Sequence, residues 1–221
     1  MTNLSTNNSV TLCGTVVGQP TYSHEIFGEK FYEVSLAVKR LSGMDDVLPV
    51  SVSEHLLSDM FVDGAQLTLH GQFRSYNKVV GQHSKLMLTV FVRDVVPFDS
   101  TVNPNTMNLV GFVCKPPVYR TTPFNREICD LLIAVNRQYN KSDYIPCIVW
   151  GRNARFAEKL TVGTQVNIAG RVQSRNYQKK LDDETIVTRT AYEVSVGKIT
   201  VVEPQSDVAE TPLSIESADV N

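Results

Sequence analysis

An all-β chain of two tandem five-stranded barrels, each with one short helix between its third and fourth strands, is the fold class this sequence predicts. Three observations carry it. The chain of 221 residues states one pattern twice. Each statement reads as short strands separated by glycine, proline and polar turns. In the second statement the apolar period lengthens from two to about three at one place only, as a single short helix requires.

The repeat comes first. Gly14, Pro20 and Tyr22 return as Gly111, Pro117 and Tyr119, Leu36-Ala-Val-Lys-Arg40 as Ile133-Ala-Val-Asn-Arg137, and Asp46 and Pro49 as Asp143 and Pro146, all 97 residues apart. Gly71 and Ser75 return as Gly170 and Ser174 at a spacing of 99. A repeat of this length is a whole small domain, not a solenoid unit. The expected boundaries are residues 8–98 for the first domain, 99–105 for a proline-containing linker, 106–203 for the second domain and 204–221 for a disordered acidic tail.

In the second copy Met107–Cys114 is a strand bent at Gly111, closed by Lys115-Pro-Pro117. Glu127–Arg137 is rich in β-branched residues and forms the second strand. Asp143–Trp150 is the third. Over Gly151–Thr161, Ala154, Ala157 and Leu160 fall three apart, a short amphipathic helix closed by Gly163. Thr164–Ser174 is the fourth strand. A polar hairpin over Arg175–Val187 leads to the fifth, Thr188–Val202. The first copy follows the same order, with its helix around Glu54–Phe61. Five strands with a helix in that place describe an OB-fold barrel.

Composition narrows the function. No apolar run is long enough to span a membrane. The N-terminal residues lack the basic start and apolar stretch of a signal peptide, so a cytoplasmic protein is expected. Cys13, Cys114, Cys129 and Cys147 have no paired spacing and read as small buried hydrophobes kept reduced. His24, His55, His70 and His83 are scattered, so no zinc site and no other cofactor is expected. No Ser-His-Asp set and no glycine-rich phosphate loop is present, which argues against an enzyme. The net charge of −2 hides a segregation. Residues 106–203 carry 14 basic and 9 acidic side chains, residues 10–98 carry 7 and 9, and the tail carries four acids and no base. A basic second domain suits a polyanionic ligand.

The second copy resembles the bacterial single-stranded DNA-binding protein family over about Met107 to Glu203. The carriers are Asn108-Leu-Val-Gly111, Ala134-Val-Asn-Arg137, Tyr144-Ile-Pro-Cys-Ile-Val-Trp-Gly151, Ala154 with Ala157, Val166-Asn-Ile-Ala-Gly170-Arg171 and Ser174-Arg-Asn-Tyr177. The resemblance implies a binder that coats single strands without doing chemistry on them. Such a ligand is held by flat aromatics that stack on bases and by cations that meet phosphates. Tyr144, Trp150 and Tyr177 fall where the family places its stacking aromatics. Arg137, Arg152, Arg155, Arg171, Arg175, Lys179 and Lys180 interleave with them. Taken without the resemblance, Trp150 reads equally as a core residue and Tyr144 as a barrel cap. Period two puts Tyr144 and Trp150 on one face of their strand.

The first copy has Ser53 at the position of Trp150, Val47 at that of Tyr144 and Gln72 at that of Arg171. It is read as having lost most of the stacking and phosphate set, keeping Arg40, Arg74 and Tyr76 for a weaker site. The second barrel is expected to carry most affinity. The family further implies assemblies of four barrels, which two of these chains would supply as a homodimer, and roles in replication, recombination or repair. Its acidic tail recruits replication and repair proteins; here the tail ends Asp219-Val-Asn221 without the family's usual terminus. The other reading is a primosome- or phage-type OB protein acting mainly through protein partners. RNA is a variant ligand, since nothing in the sequence reads a 2′-hydroxyl.

Overall fold

The computed structural model describes residues 7–81, 83–180 and 185–203. The tail from residue 204 and the hairpin acids Asp182, Asp183 and Glu184 lie outside them. Two closed five-stranded barrels share one sheet. The first consists of β1 (Asn8–Ile26), β2 (Glu29–Lys39), β3 (Asp45–Ser53), β4 (Gln66–Val80) and β5 (His83–Pro97). The second consists of β6 (Asn105–Val113), β8 (Glu127–Asn136), β9 (Ser142–Trp150), β10 (Gln165–Lys180) and β11 (Ile186–Val201), with a short β7 (Val118–Thr121) beside β8. In each barrel the third strand meets the fifth in parallel, and every other contact is antiparallel. Among the described residues no helix is long and apolar enough to cross a membrane.

Both barrels close at a glycine. β1 pairs with β4 up to Thr15 and with β2 from Thr15 onward, so its direction turns around Gly14. A Cβ on Gly14 would lie 2.5 Å from the Ala37 carbonyl oxygen, and one on Gly111 would lie 2.6 Å from that of Ala134. Gly71 and Gly170 approach the carbonyls of Phe91 and Ser195 just as closely. The glycines matched in the repeat are therefore the points of closest backbone approach, where no side chain fits. Around them Leu12, Leu36, Leu48, Leu69 and Phe73 fill the first barrel, and Leu109, Ile133, Ile145, Ile168 and Val172 the second, all fully buried.

The single α-helix among the described residues, α1 (Arg152–Ala157), stands between β9 and β10 and buries Ala154 and Ala157. The helix expected at Glu54–Phe61 is replaced by turns. Ser53 Oγ accepts from His55 N at 3.2 Å and Ser58 Oγ from Met60 N at 3.4 Å. Serine hydroxyls that bind nearby backbone donors compete with helix continuation. The fourth and fifth strands of the second copy run further into the polar hairpin than expected, staying paired from Val166–Val201 out to Lys180–Ile186. In the second copy Pro116 and Pro117 interrupt the outer ladder and separate β6 from β7, since proline has no N–H to donate. In the first copy β1 passes the same region unbroken.

The barrels are joined by β1 and β6, paired antiparallel. Val10 faces Met107, its own counterpart in the repeat, while Asn8 faces Leu109 and Leu12 faces Asn105. The pairing is thus isologous within one chain. Two seams flank it, related by the same approximate two-fold axis. In one, Asp46 of β3 accepts from Ser174 N of β10 at 2.6 Å. In the other, Asp143 of β9 accepts from Ser75 N of β4, also at 2.6 Å. Arg40 donates to Asp46 from Nε at 2.8 Å and from Nη2 at 2.5 Å. Arg137 Nε lies 3.2 Å from Asp143 Oδ2, out of hydrogen-bond alignment with it.

Two outcomes follow from this packing. Gly111→Ala must displace β8, and is expected to cost about 1–3 kcal/mol of stability, the range for forced overpacking, read by chemical denaturation. The two aspartates should differ in acid. Burial would raise the Asp46 carboxyl, but hydrogen bonds from Arg40 and Ser174 outweigh it and hold it below its ordinary 3.8. That stability is present above the ordinary value and is lost as pH falls through the lowered one. Burial prevails at Asp143 over Ser75, Arg137 and Arg74, and raises its carboxyl above 3.8. Its contribution therefore declines as pH rises through that window. Between pH of about 5 and 2, the stability gap between wild type and Asp46→Asn should narrow on acidification and that for Asp143→Asn should widen.

Candidate nucleic-acid interface

Alternation along β9 puts Ile145, Cys147 and Val149 in the barrel interior and leaves Tyr144 and Trp150 on the outer face, 44% and 36% exposed. Trp150 is therefore not a core residue. The outer face continues across the sheet by register. Ile148 pairs with Ser195 and Ser195 with Arg171. Two residues further along each strand, Gln173 faces Glu193, then Arg175 faces Ala191, Tyr177 faces Arg189 and Lys179 faces Val187. Tyr144, Trp150, Arg171, Arg175, Tyr177 and Lys179 thus share one face, the first two as period two predicted; by alternation Lys180 stands on the other side of the ribbon. Tyr177 is 36% exposed, and the Arg175 guanidinium lies 5.9 Å from its ring centre, within cation–π range.

Beside Trp150 the chain turns at Gly151, whose φ of 55° suits glycine. Arg152 follows, exposed on α1. A depression of about 650 Å³ opens here, lined by Trp150, Arg126, Arg155 and Glu127 among others. Arg155 Nε donates to the Glu127 carboxylate at 2.8 and 2.9 Å, and the Tyr119 hydroxyl donates to it at 2.6 Å. These donors hold Glu127 below the ordinary glutamate range. Arg155 is thus partly neutralised. Arg175 has a looser partner, Glu193, at 3.5 Å. Arg40 and Arg171 both turn to Asp46, Arg171 at 3.1 Å, so they fasten the barrels together at the edge of this face. Arg137 lies at the opposite seam.

Arg126 and Arg189 join the face and were not among the expected residues. Arg126 stands 97 residues after Glu29, so the repeat alignment already held that charge reversal. Arg189 becomes visible only when the hairpin is paired and Tyr177 falls opposite it.

The first barrel's outer face differs in kind. Ser53 Oγ donates to the Glu29 carboxylate. The Tyr76 hydroxyl donates to Glu33 at 3.3 Å, and burial, then the Glu33 charge, raises its pKa. Glu29 thus stands where the second copy has Arg126, whereas Glu33 matches Asp130, itself acidic. The first copy lacks aromatics at the positions of Trp150 and Tyr144, and its rings stand on other strands. Phe31 of β2 and Phe91 of β5 lie 5.7 Å apart between ring centres, His24 stacks on Phe31 at 5.2 Å, and the Arg74 guanidinium covers Phe91 at 3.9 Å.

The model of the single-strand binding protein family matches residues 104–202. Single-stranded DNA-binding protein 1 of Lactococcus lactis is 34% identical over 94 residues, covering 38% of this chain and 61% of that protein. Single-stranded DNA-binding protein 3 of Streptococcus agalactiae is 32% identical over 96 residues, covering 40% of this chain and 70% of that protein. The chain spans 61% to 63% of the length of the first curated relatives it matches. Among solved structures, the wild-type single-stranded DNA binding protein from Thermus aquaticus superposes with a TM-score of 0.69 at 18% identity, over 90% of this chain and 94% of that one. That likeness spans both barrels and concerns the fold.

Proposed function

The chain belongs to the single-strand binding protein family, and from that premise we propose that it binds single-stranded DNA without regard to sequence, by base stacking and phosphate contact, and catalyses nothing. The observation that carries the reading is the second barrel's outer face, where Trp150, Tyr144 and Tyr177 are all partly exposed among Arg126, Arg152, Arg175 and Lys179. Aromatic faces accept any base, and each stacked base contributes about 1–3 kcal/mol. Cations along the face meet the phosphates. In the first barrel Glu29 stands in place of Arg126 and Ser53 in place of Trp150, so the second barrel carries most of the stacking.

In the cell the proposal places the protein in the cytoplasm, at the nucleoid, protecting strands exposed in replication, recombination or repair. Two chains would supply four barrels as a homodimer. The acidic residues from 204 onward would recruit partner proteins.

Trp150 is the only tryptophan, so its fluorescence reports the face directly. Titration with oligo-dT should quench it, and affinity should fall as salt rises through counterion release. Trp150→Ala and Tyr177→Ala should each weaken binding by about 1–3 kcal/mol. Absence of quenching, or affinity indifferent to salt, would rule out this reading and favour a protein-docking module.

A further inference from the structure

The two seams between the barrels share a backbone but not a charge balance. At the first, Asp46 is saturated: it accepts from Arg40, from Arg171 at 3.1 Å and from Ser174 N and Oγ at 2.6 and 3.2 Å. Two arginines there share one carboxylate with full hydrogen bonding. At the second seam a groove of about 780 Å³ opens between the barrels. Arg74 and Arg93 of the first barrel and Arg137 and Lys141 of the second line it, with Asp143 as the facing carboxylate. Four cations thus surround one acid. The position of Arg171 in the first seam is taken here by Gln72, whose side-chain oxygen accepts from Arg74 at 2.7 and 3.2 Å.

The cations are crowded and imperfectly answered. Arg74 and Arg93 lie 3.9 and 5.2 Å from the same Phe91 ring centre. Arg137 Nε and Asp143 Oδ2 are buried and lack hydrogen-bond partners among the described residues. Burial, then the charges of Arg93 and Arg137, bring Arg74 down to about 10. Like charges at this spacing repel unless an anion enters. Tyr139, 91% exposed, lines the same groove, and Tyr144, the near end of the stacking face, is tied to the seam by its N–H, which donates to Ser75 Oγ at 2.7 Å.

We propose that this seam groove is a phosphodiester site, in which Arg74 and Arg93 of one barrel and Arg137 and Lys141 of the other hold the backbone of a single strand as it leaves the Tyr144 end of the second barrel. The inference rests on the function proposed above and adds a route to it. The strand bridges both barrels through one seam and not the other. Tyr139 offers a stacking surface at the exit. The acidic outer face of the first barrel is bypassed.

The test uses the full chain and the double variant Arg93→Gln, Lys141→Gln, which alters two exposed side chains away from Trp150. Binding is followed by Trp150 quenching across a salt series, with one oligo-dT of about 8 nucleotides, inside the footprint of a single barrel, and one of about 30, beyond it. For the long strand, the slope of log affinity against log salt should fall by about 1.4, about 0.7 for each phosphate that the variant no longer neutralises. The short strand should bind as it does to wild type. Equal slopes for wild type and variant on the long strand overturn the seam site while leaving the second-barrel face intact. So does an equal loss on both strands. A wild-type protein that binds neither strand overturns the function itself, and the route with it.

Discussion

The antiparallel pairing of β1 with β6 is the constraint on which the rest depends. An OB-type barrel closes through its first strand, and the outer side of that strand would otherwise remain an open edge. Here each barrel covers the other's edge, with Val10 set against Met107 at the centre. Antiparallel pairing of equivalent strands creates a two-fold relation, and everything that crosses it occurs twice. Asp46 reaches Ser174 and Asp143 reaches Ser75 because the axis that carries one carries the other. Identical chains paired this way would have identical seams. One chain with two copies is released from that identity while keeping the geometry.

The aspartates show how much freedom that gives. Both lie buried at an interface, both accept from a serine N–H, and both have an arginine six residues earlier. Their carboxyls nevertheless shift in opposite directions. The difference is the number and alignment of donors. Asp46 has a well-aligned Arg40 and both the N–H and hydroxyl of Ser174, which offset the cost of burial; Asp143 has the Ser75 N–H and a poorly aligned Arg137. A buried ion pair stabilises only when its hydrogen bonds are complete. The incomplete seam is the one left with surplus cationic charge.

Much of the fold was legible, because its determinants are local or repeated. Gly14, Gly71, Gly111 and Gly170, matched in the repeat, mark the points of closest backbone approach, and period two along β9 puts Tyr144 and Trp150 together. What failed in the first copy's helix was also local. Ser53 and Ser58 bind backbone donors that a helix needs, and the apolar pattern around Leu56 and Leu57 does not reveal it. The candidate site was legible as a set of residue types and less so as partners. Arg40 and Arg171 read as phosphate binders from charge alone, yet both face Asp46, an acid 125 residues away from Arg171 in sequence. Sequence separation hides such pairs until the barrels are docked. Phe91 and Arg93 escaped notice because nothing in their own strand signals a ligand; their role comes from Arg74 on the neighbouring strand and Arg137 on the other barrel.

The acid on the first barrel's face gives the route its direction. A strand lying symmetrically over both barrels would meet Glu29 where the proposed path over the second barrel meets Arg126. Each such carboxylate within a few ångströms of a phosphate costs on the order of 1 kcal/mol even at water's dielectric constant, and more near a protein surface. The column from His24 through Phe31 and Phe91 to Arg74 does not reverse that, because Phe31 is 5% exposed and so presents almost no surface to a base. Its effect is mechanical: the rings support Arg74 from beneath and hold its guanidinium at the groove. The first barrel thereby contributes Arg74, at the seam end of its own outer face, to the proposed path.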